Sequence, residues 1–150
     1  MLRRPWLARP RARFDLFLAL ALVLCACAPD PGDLGPTDAL GAFLTAVERS
    51  THAPEQRKIA YEWLDTKSQA ALADRARLAN SLAGRKLRAW EMLVPGRVSF
   101  AGQSIAGVRM TADVEGDHAT VSILIDKGDP IEVPMVREDG RWRVVLGLTK

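Results

Sequence analysis

Residues 37–64 carry apolar side chains at the spacing of α-helices. Four of them follow the i, i+3, i+4, i+7 pattern that places side chains on one helix face: Leu40, Phe43, Leu44 and Val47. The pattern predicts a first helix over residues 38–50, with the Thr37 hydroxyl as its N-cap. A second helix is predicted around Pro54, which suits a first helical turn, and its apolar residues are Ile59, Tyr61, Trp63 and Leu64.

A third helix is predicted to begin at Thr66 and to stop at Gly84. Thr66 and Gln69 match the capping box, in which the two side chains satisfy free backbone donors, and Gly84 is a natural left-handed C-cap. The predicted buried face of this helix consists of Leu72, Ala76 and Ala79. Leu78 and Leu82 are predicted to lie beside that face. One more helical turn is predicted within residues 85–94.

Beyond Gly96 the hydrophobic period shortens from about 3.6 residues to about 2, which is typical of half-buried antiparallel strands. The predicted inward positions are Val108, Met110, Ala112 and Val114; Ala119, Val121, Ile123 and Ile125; and Trp142, Val144, Leu146 and Leu148. Short segments at 115–117, 127–129 and 139–140 predict hairpin turns, and a weaker strand is predicted over residues 97–101. Helices followed by a meander of four or five strands predict an α+β fold, with the helices packed on one face of a curved antiparallel sheet.

The segment LALALVLCACAPDPG, residues 18–32, ends an apolar run with two cysteines and then proline, aspartate and glycine. Five arginines precede the run, so the layout is that of a secretory signal. A membrane-spanning helix needs about 20 apolar residues, and the run between Asp15 and Pro29 is too short for one. We therefore expect an export signal rather than a span.

The tetrad Leu24-Cys25-Ala26-Cys27 resembles the lipobox of bacterial lipoproteins. The resemblance implies cleavage after Ala26 and acyl chains, such as palmitate, on Cys27. The alternatives are a plain secretory signal and a metal or redox cysteine pair; two cysteines are too few for a structural zinc site, which needs four ligands. The expected organisation is a signal peptide at 1–26, a lipidated tether at 27–36 and a single α+β domain at 37–150.

The basic charge of the chain is concentrated at its N-terminus. The chain has 21 basic and 18 acidic residues, and without residues 1–26, which hold five arginines and Asp15, it has 16 basic and 17 acidic residues. Nucleic acid is therefore not expected as a partner, since its binding depends on clustered Lys and Arg. The lipobox resemblance implies a location in the bacterial cell envelope. In lipoproteins of double-membrane bacteria an Asp after the lipidated cysteine favours the inner membrane, so Ala28 after Cys27 implies the outer membrane, facing the periplasm.

One basic stretch surrounds the third helix: Arg75, Arg77, Arg85, Lys86 and Arg88. The simpler interpretation is a solvated helix face. The alternative is contact with the anionic headgroups of the membrane that the anchor would bring within reach.

Three segments together resemble the cone-shaped domains of the nuclear transport factor 2-like superfamily: ALGAFLTAV, AYEWLDTKSQAAL and REDGRWRVVL. The similarity covers residues 37–148 and is greatest with bacterial lipoprotein members. It implies helices over a bent sheet, often with an apolar cavity between them. Some members of that superfamily are isomerases, dehydratases or hydrolases, whereas others only bind ligands or dimerise.

The sequence offers little for catalysis. The predicted inward strand positions carry no titratable group, and the two histidines, His52 and His118, have no partner at metal-ligand spacing. Tyr61 and Asp65, at i and i+4 of one helix, form the best polar pair, although a core tyrosine beside a helix-terminating carboxylate explains it more simply. No catalytic residue, metal or cofactor is predicted, and the chain is not expected to be an enzyme.

Four aromatic residues are candidates for the lining of a pocket: Tyr61, Trp63, Trp90 and Trp142. Such rings would let an apolar ligand stack, and core packing is the alternative interpretation. The favoured function is a membrane-anchored, non-catalytic binding or interaction module, with an envelope protein or a small apolar ligand as partner. The alternative is a small pocket hydrolase or isomerase of the same fold.

Overall fold

The computed structural model describes residues 34–95, 108–125 and 129–147. These residues form an α+β fold in which three helices pack with a four-stranded antiparallel sheet. The predicted strand over residues 97–101 and the predicted lipidation site, Cys27, lie outside the described residues.

The helices lie in the first part of the chain. They are α1 (Pro36–Arg49), α2 (Gln56–Glu62) and α3 (Thr66–Ala83), and a 3₁₀ turn (Ala89–Met92) follows α3. The four residues predicted to share one face of α1 are all buried in the core, which confirms that prediction. Gly84 caps α3 with a left-handed φ of 61°, as its position predicted. No helix within the described ranges combines the length and apolar character needed to cross a bilayer.

The predicted N-cap of α1 is wrong by two residues. Gly35 is the N-cap, and Pro36 occupies the first helical position, so Thr37 lies inside the helix. Proline favours that position because its fixed φ matches the helix and its missing N–H needs no partner there. The helix thus begins at the last residue of the predicted tether.

The predicted capping box of α3 is also wrong. Asp65 is the N-cap, and its carboxylate accepts the backbone N–H of Ser68 at 3.2 Å. The Gln69 side chain, predicted to bind back to the cap, instead donates to the carbonyl oxygens of Tyr61 and Leu64 at 3.0 and 3.1 Å. An aspartate directly before a threonine competes successfully for the cap because its carboxylate accepts hydrogen bonds at least as well as a hydroxyl.

The sheet is a meander of β1 (Arg109–Glu115), β2 (His118–Leu124), β3 (Ile131–Glu138) and β4 (Arg141–Val144), in that spatial order. Two predicted hairpin turns are confirmed. Gly116 has a φ of 61°, and Asp139 and Gly140 have φ values of 50° and 76°. Two consecutive positive φ values are typical of the hairpin turn whose twist matches its strands. The third predicted turn lies partly outside the described residues.

The core lies between α1 and one face of the sheet. The strand residues buried on this face are Ala119, Val121, Ile123, Met135, Trp142 and Val144. Helix α1 contacts β1, β2 and β4, so its apolar side is covered by the sheet. The predicted inward faces of β2 and β4 are thereby confirmed for the residues that the strands contain.

Strand β1 departs from its predicted burial. Ala112 and Val114, both predicted to face inward, are exposed, and 49% of the surface of Val114 is accessible. In the described sheet β1 pairs with β2 alone, so its side chains have a neighbouring strand on one side only. Alternation along a strand predicts which residues share a face, but burial also needs a cover over that face.

The substitution Val121→Asp tests the assigned faces, because Val121 has no accessible surface. An unpaired carboxylate in an apolar core costs several kcal/mol or is forced to take a proton, so we expect the variant to unfold or to lose most of its stability. The control Asp113→Asn, at an exposed position of β1, should change the free energy of unfolding by less than about 0.5 kcal/mol. Urea unfolding followed by circular dichroism measures both. A reversed order of the two effects would show that the faces are assigned wrongly.

Candidate functional site

A groove of about 790 Å³ lies between α3 and the segment that follows β4. Its lining is mostly apolar and consists of Ala70, Ala71, Leu78, Val145, Leu146 and Gly147, with the polar residues Asp65, Lys67, Ser68, Asp74 and Arg75. A groove with an apolar floor and a few polar side chains is the usual form of a ligand site.

Backbone hydrogen bonds hold the two walls of this groove together. The Val144 N–H donates to the Trp63 carbonyl at 2.9 Å, and the Asp65 N–H donates to the Val144 carbonyl at 3.1 Å. Leu64 and Val144 thereby form a parallel bridge that adds a short extended segment beside β4. We refer to residues 63–65 paired with Val144 as the junction. It fixes the first turn of α3 against the end of the sheet.

The side chains of Ser68 and Glu138 make further hydrogen bonds next to the junction. The buried Ser68 hydroxyl accepts the Leu146 N–H at 2.9 Å, which ties α3 to the far wall of the groove. The Glu138 carboxylate accepts the Thr66 N–H at 3.0 Å and the Thr66 hydroxyl at 2.8 Å. A negative charge at a helix N-terminus is also favoured by the helix dipole. Both strands of the last hairpin are therefore joined to the start of α3.

Tyr61 and Asp65, the polar pair singled out in the sequence, each have a structural partner in this region. The Tyr61 hydroxyl donates to the Gln69 carbonyl at 3.2 Å. The Asp65 carboxylate is buried and caps α3 through Ser68, so it begins a helix rather than ending one. Burial raises the pKa of Tyr61 above its ordinary value of 10.0. A raised pKa keeps the hydroxyl protonated and therefore available as the donor to Gln69.

The four aromatic residues predicted as pocket lining lie elsewhere than this groove. Trp142 is buried in the core, and Tyr61 and Trp63 are partly buried against it. Trp90 lies in the 3₁₀ turn, where the Arg88 guanidinium is 5.8 Å from its ring centre, within the range of a cation–π contact. Lining of a pocket by these rings stays a prediction.

Both histidines lie at exposed positions. His52 follows the end of α1 and His118 begins β2. Across the three described ranges, no cluster of three or more His, Cys, Asp or Glu side chains is arranged to hold a metal ion.

A second depression, of about 590 Å³, has an acidic rim. Its carboxylates come from β1, from β3 and from the cap of α3: Asp113, Glu115, Glu138 and Asp65. His118 and Lys67 also contribute to it. The described surface thus contains an acidic region that differs in character from the mostly apolar groove.

The groove was not recognisable from the sequence. Alanines such as Ala70 and Ala71 do not indicate a binding site by their chemistry. Residues 145–147 are distant from them in sequence and lie near them in the folded chain, next to the junction. A local signal did exist in Leu78, since a large apolar residue away from the main buried face of a helix indicates a second apolar surface.

Tyr61 is the single tyrosine of the chain, so a spectrophotometric titration of its ionisation tests its surroundings. We expect a midpoint above 10.0 in the native protein and a return to about 10 in denaturant. Because the pKa of Tyr61 is higher in the folded state than in the unfolded state, the free energy of unfolding depends on pH in this range. The contribution of Tyr61 to stability is complete below its unfolded-state pKa and is lost as the pH rises through its folded-state pKa. A native midpoint below 10 would contradict the structural role and indicate a stabilised phenolate.

Comparison with known proteins gives no relative for this chain: no protein-family model matches it, and no curated protein or solved structure does. Its function is therefore inferred from its own residues and their geometry.

Proposed function

We propose that this chain is a bacterial envelope lipoprotein, anchored through acyl chains on Cys27, whose α+β domain is a non-catalytic binding or interaction module. The observation that carries the anchor is the Leu24-Cys25-Ala26-Cys27 tetrad at the end of a short apolar run preceded by arginines. The proposed location is the outer membrane, facing the periplasm. The proposed finer fold is nuclear transport factor 2-like, supported by helices that precede a meander and cover one face of its sheet.

The distance between the anchor and the domain is short. Helix α1 begins at Pro36, so residues 28–35 separate it from Cys27 and span at most about 28 Å. One acyl chain gives only marginal membrane binding, and stable anchoring needs two or more. Several chains on Cys27 would therefore hold the domain close to the bilayer surface.

The groove beside α3 supports binding rather than proton transfer. Its buried polar groups stabilise the backbone: Asp65 caps α3, and Ser68 accepts the Leu146 N–H. Asp74, at the rim, forms an ion pair with Arg77. General acid or base catalysis needs a titratable group within hydrogen-bonding reach of the substrate. These three groups have other partners. An apolar ligand or an apolar side chain of a partner protein suits the apolar part of the lining, and Lys67 and Arg75 are the remaining polar residues there.

Mass spectrometry of the mature N-terminus tests the anchor. We expect cleavage between Ala26 and Cys27, with acyl chains on Cys27. The variant Cys27→Ala should release the domain from membranes, whereas Cys25→Ala, two residues away, should leave it anchored. An unmodified Cys27 in protein extracted from membranes would refute the proposed anchor.

The substitution Ala71→Trp tests the groove, because Ala71 lines it and an indole ring would fill part of the space. Binding of an apolar anionic dye such as anilinonaphthalene sulfonate should lose most of its fluorescence gain in this variant. Thr111→Trp, at an exposed position of β1, is the control that adds the same ring away from the groove. Dye binding that persists in Ala71→Trp and falls in Thr111→Trp would exclude the groove as the binding site. Turnover of ester substrates that is abolished by Ala71→Trp would favour the hydrolase alternative.

A further inference from the structure

The C-terminal half of α3 presents two leucines to solvent. Leu78 is 62% exposed and Leu82 is 80% exposed, although the sequence predicted them beside the buried face. Together with Ala71 and Arg75 they follow the i, i+4, i+7, i+11 spacing of a single helix face. We call Leu78 and Leu82 the leucine stripe. The buried face of α3, with Leu72 and Ala76, lies on a different side of the helix.

The leucine stripe is continuous with the groove. Ala71, Arg75 and Leu78 line the groove, and Leu82 extends the same helix face by one turn. Contiguous exposed apolar surface on a folded domain commonly marks an interaction site.

Positive charge is concentrated in the segment that carries this stripe. Residues 66–90 contain six basic residues and a single acidic residue, Asp74. The basic residues are all exposed: Lys67, Arg75, Arg77, Arg85, Lys86 and Arg88. Asp74 forms an ion pair with Arg77, so the only carboxylate in the segment is already engaged by a neighbouring cation.

The rest of the chain after residue 26 has the opposite charge balance. Residues 27–65 and 91–150 contain 10 basic and 16 acidic residues. Positive charge in the proposed mature chain is thus concentrated in one segment that also carries exposed leucines. A negatively charged surface would attract this segment and repel most of the remainder, which would orient the domain.

The Asn80 side chain keeps residues 85–87, which we call the basic loop, next to α3. The Asn80 side chain accepts the Leu87 N–H at 2.6 Å and donates to the Leu87 carbonyl at 2.9 Å. Gly84 reverses the chain at the end of the helix. Arg85 and Lys86 lie between this reversal and Leu87. The two cations are therefore held close to the Leu82 end of the stripe.

We propose that the leucine stripe and the basic residues around it form a docking surface for an anionic lipid bilayer. Helices that lie in the membrane interface combine an apolar face with flanking Lys and Arg side chains, and anionic headgroups attract such basic segments. The inference rests on the proposed lipid anchor in one respect: the anchor keeps the surface near the membrane. The surface itself is defined by residues of the described domain.

A second copy of this chain fits the surface less well. A two-fold contact would bring the same patch of each copy together, so Arg85 and Lys86 of one copy would lie against the equally basic patch of the other. Like charges in such a contact are destabilising. Anionic headgroups would instead neutralise these cations while the leucines leave water.

Amine labelling of the full chain on lipid vesicles tests the proposal. The chain, as isolated from membranes, is incorporated into vesicles of phosphatidylcholine alone or of phosphatidylcholine with phosphatidylglycerol, and the acetylation of each lysine is followed by mass spectrometry. Lys86 reports on the docking surface, and Lys58, exposed on α2, is the internal control. We expect Lys86 to be labelled several times more slowly on the anionic vesicles than on the neutral ones, with Lys58 labelled equally on both.

Variants separate the contributions of the leucines and the charges. Leu78→Ser with Leu82→Ser should restore rapid labelling of Lys86, whereas Ile59→Ser, at an exposed position of α2, should not. Removing one cation with Arg85→Ser should weaken docking about fivefold, as expected for one basic residue at an anionic surface. Added salt should weaken docking further.

The outcomes distinguish this inference from the proposed anchor. Equal labelling of Lys86 on both kinds of vesicle, in protein that stays vesicle-bound, would overturn the docking surface and leave the anchor intact. Protection of Lys86 that depends on protein concentration in the absence of vesicles, or that needs a second protein, would also overturn it. An unmodified Cys27 would refute the anchor alone. The docking surface would still be supported in that case if added anionic vesicles protected Lys86 and if this protection were lost in the double leucine variant.

Discussion

The junction between residues 63–65 and Val144 is the interaction on which the arrangement of the domain depends. It consists of two backbone hydrogen bonds in the parallel bridge, and both bridge residues, Leu64 and Val144, are buried. One hydrogen bond contributes about 0.5–1.5 kcal/mol net, but a buried backbone group that loses its partner costs about 1–3 kcal/mol. Separating α3 from β4 would expose the apolar pair and break the bonds together. The junction therefore joins the helical part of the chain to the sheet.

The position of α3 explains both proposed functional surfaces. Its first turn is fixed by the junction, by Glu138 at Thr66 and by Ser68 at Leu146. Near its other end, the Asn80 side chain holds the basic loop. With both ends fixed and one side packed, the neighbouring side of α3 is left as one wall of the groove and as the leucine stripe. The proposed ligand site and the proposed membrane contact are thus two parts of the same helix face.

Local patterns predicted much of the fold. The apolar face of α1 and the turns at Gly116 and Asp139-Gly140 are determined by residues close together in sequence, and the structure agrees with them. The errors at Thr37 and Thr66 also had a local cause, since Pro36 and Asp65 are better suited to begin their helices. The exposure of Val114 had a different cause, because it depends on what covers β1 rather than on β1 itself.

The candidate site depended on contacts that the sequence could not show. Glu138 binds Thr66 across 72 positions, and Ser68 binds Leu146 across 78. No periodicity links such residues, so the groove between them was not predicted. The leucine stripe was partly visible, because Leu78 and Leu82 lie off the main apolar face. Their exposure could not be known until the packing of α3 placed Leu72 and Ala76 in the interior.

Native-state hydrogen exchange tests the central role of the junction most directly. The amide protons of Asp65, Val144 and Leu146 all donate in or beside it. If the junction joins the two parts of the domain, these amides should exchange only through global unfolding, with the same opening free energy as the most protected amides of β2. Exchange of these three amides at a much lower opening free energy, while β2 stays protected, would show that α3 detaches from the sheet locally and would contradict the account.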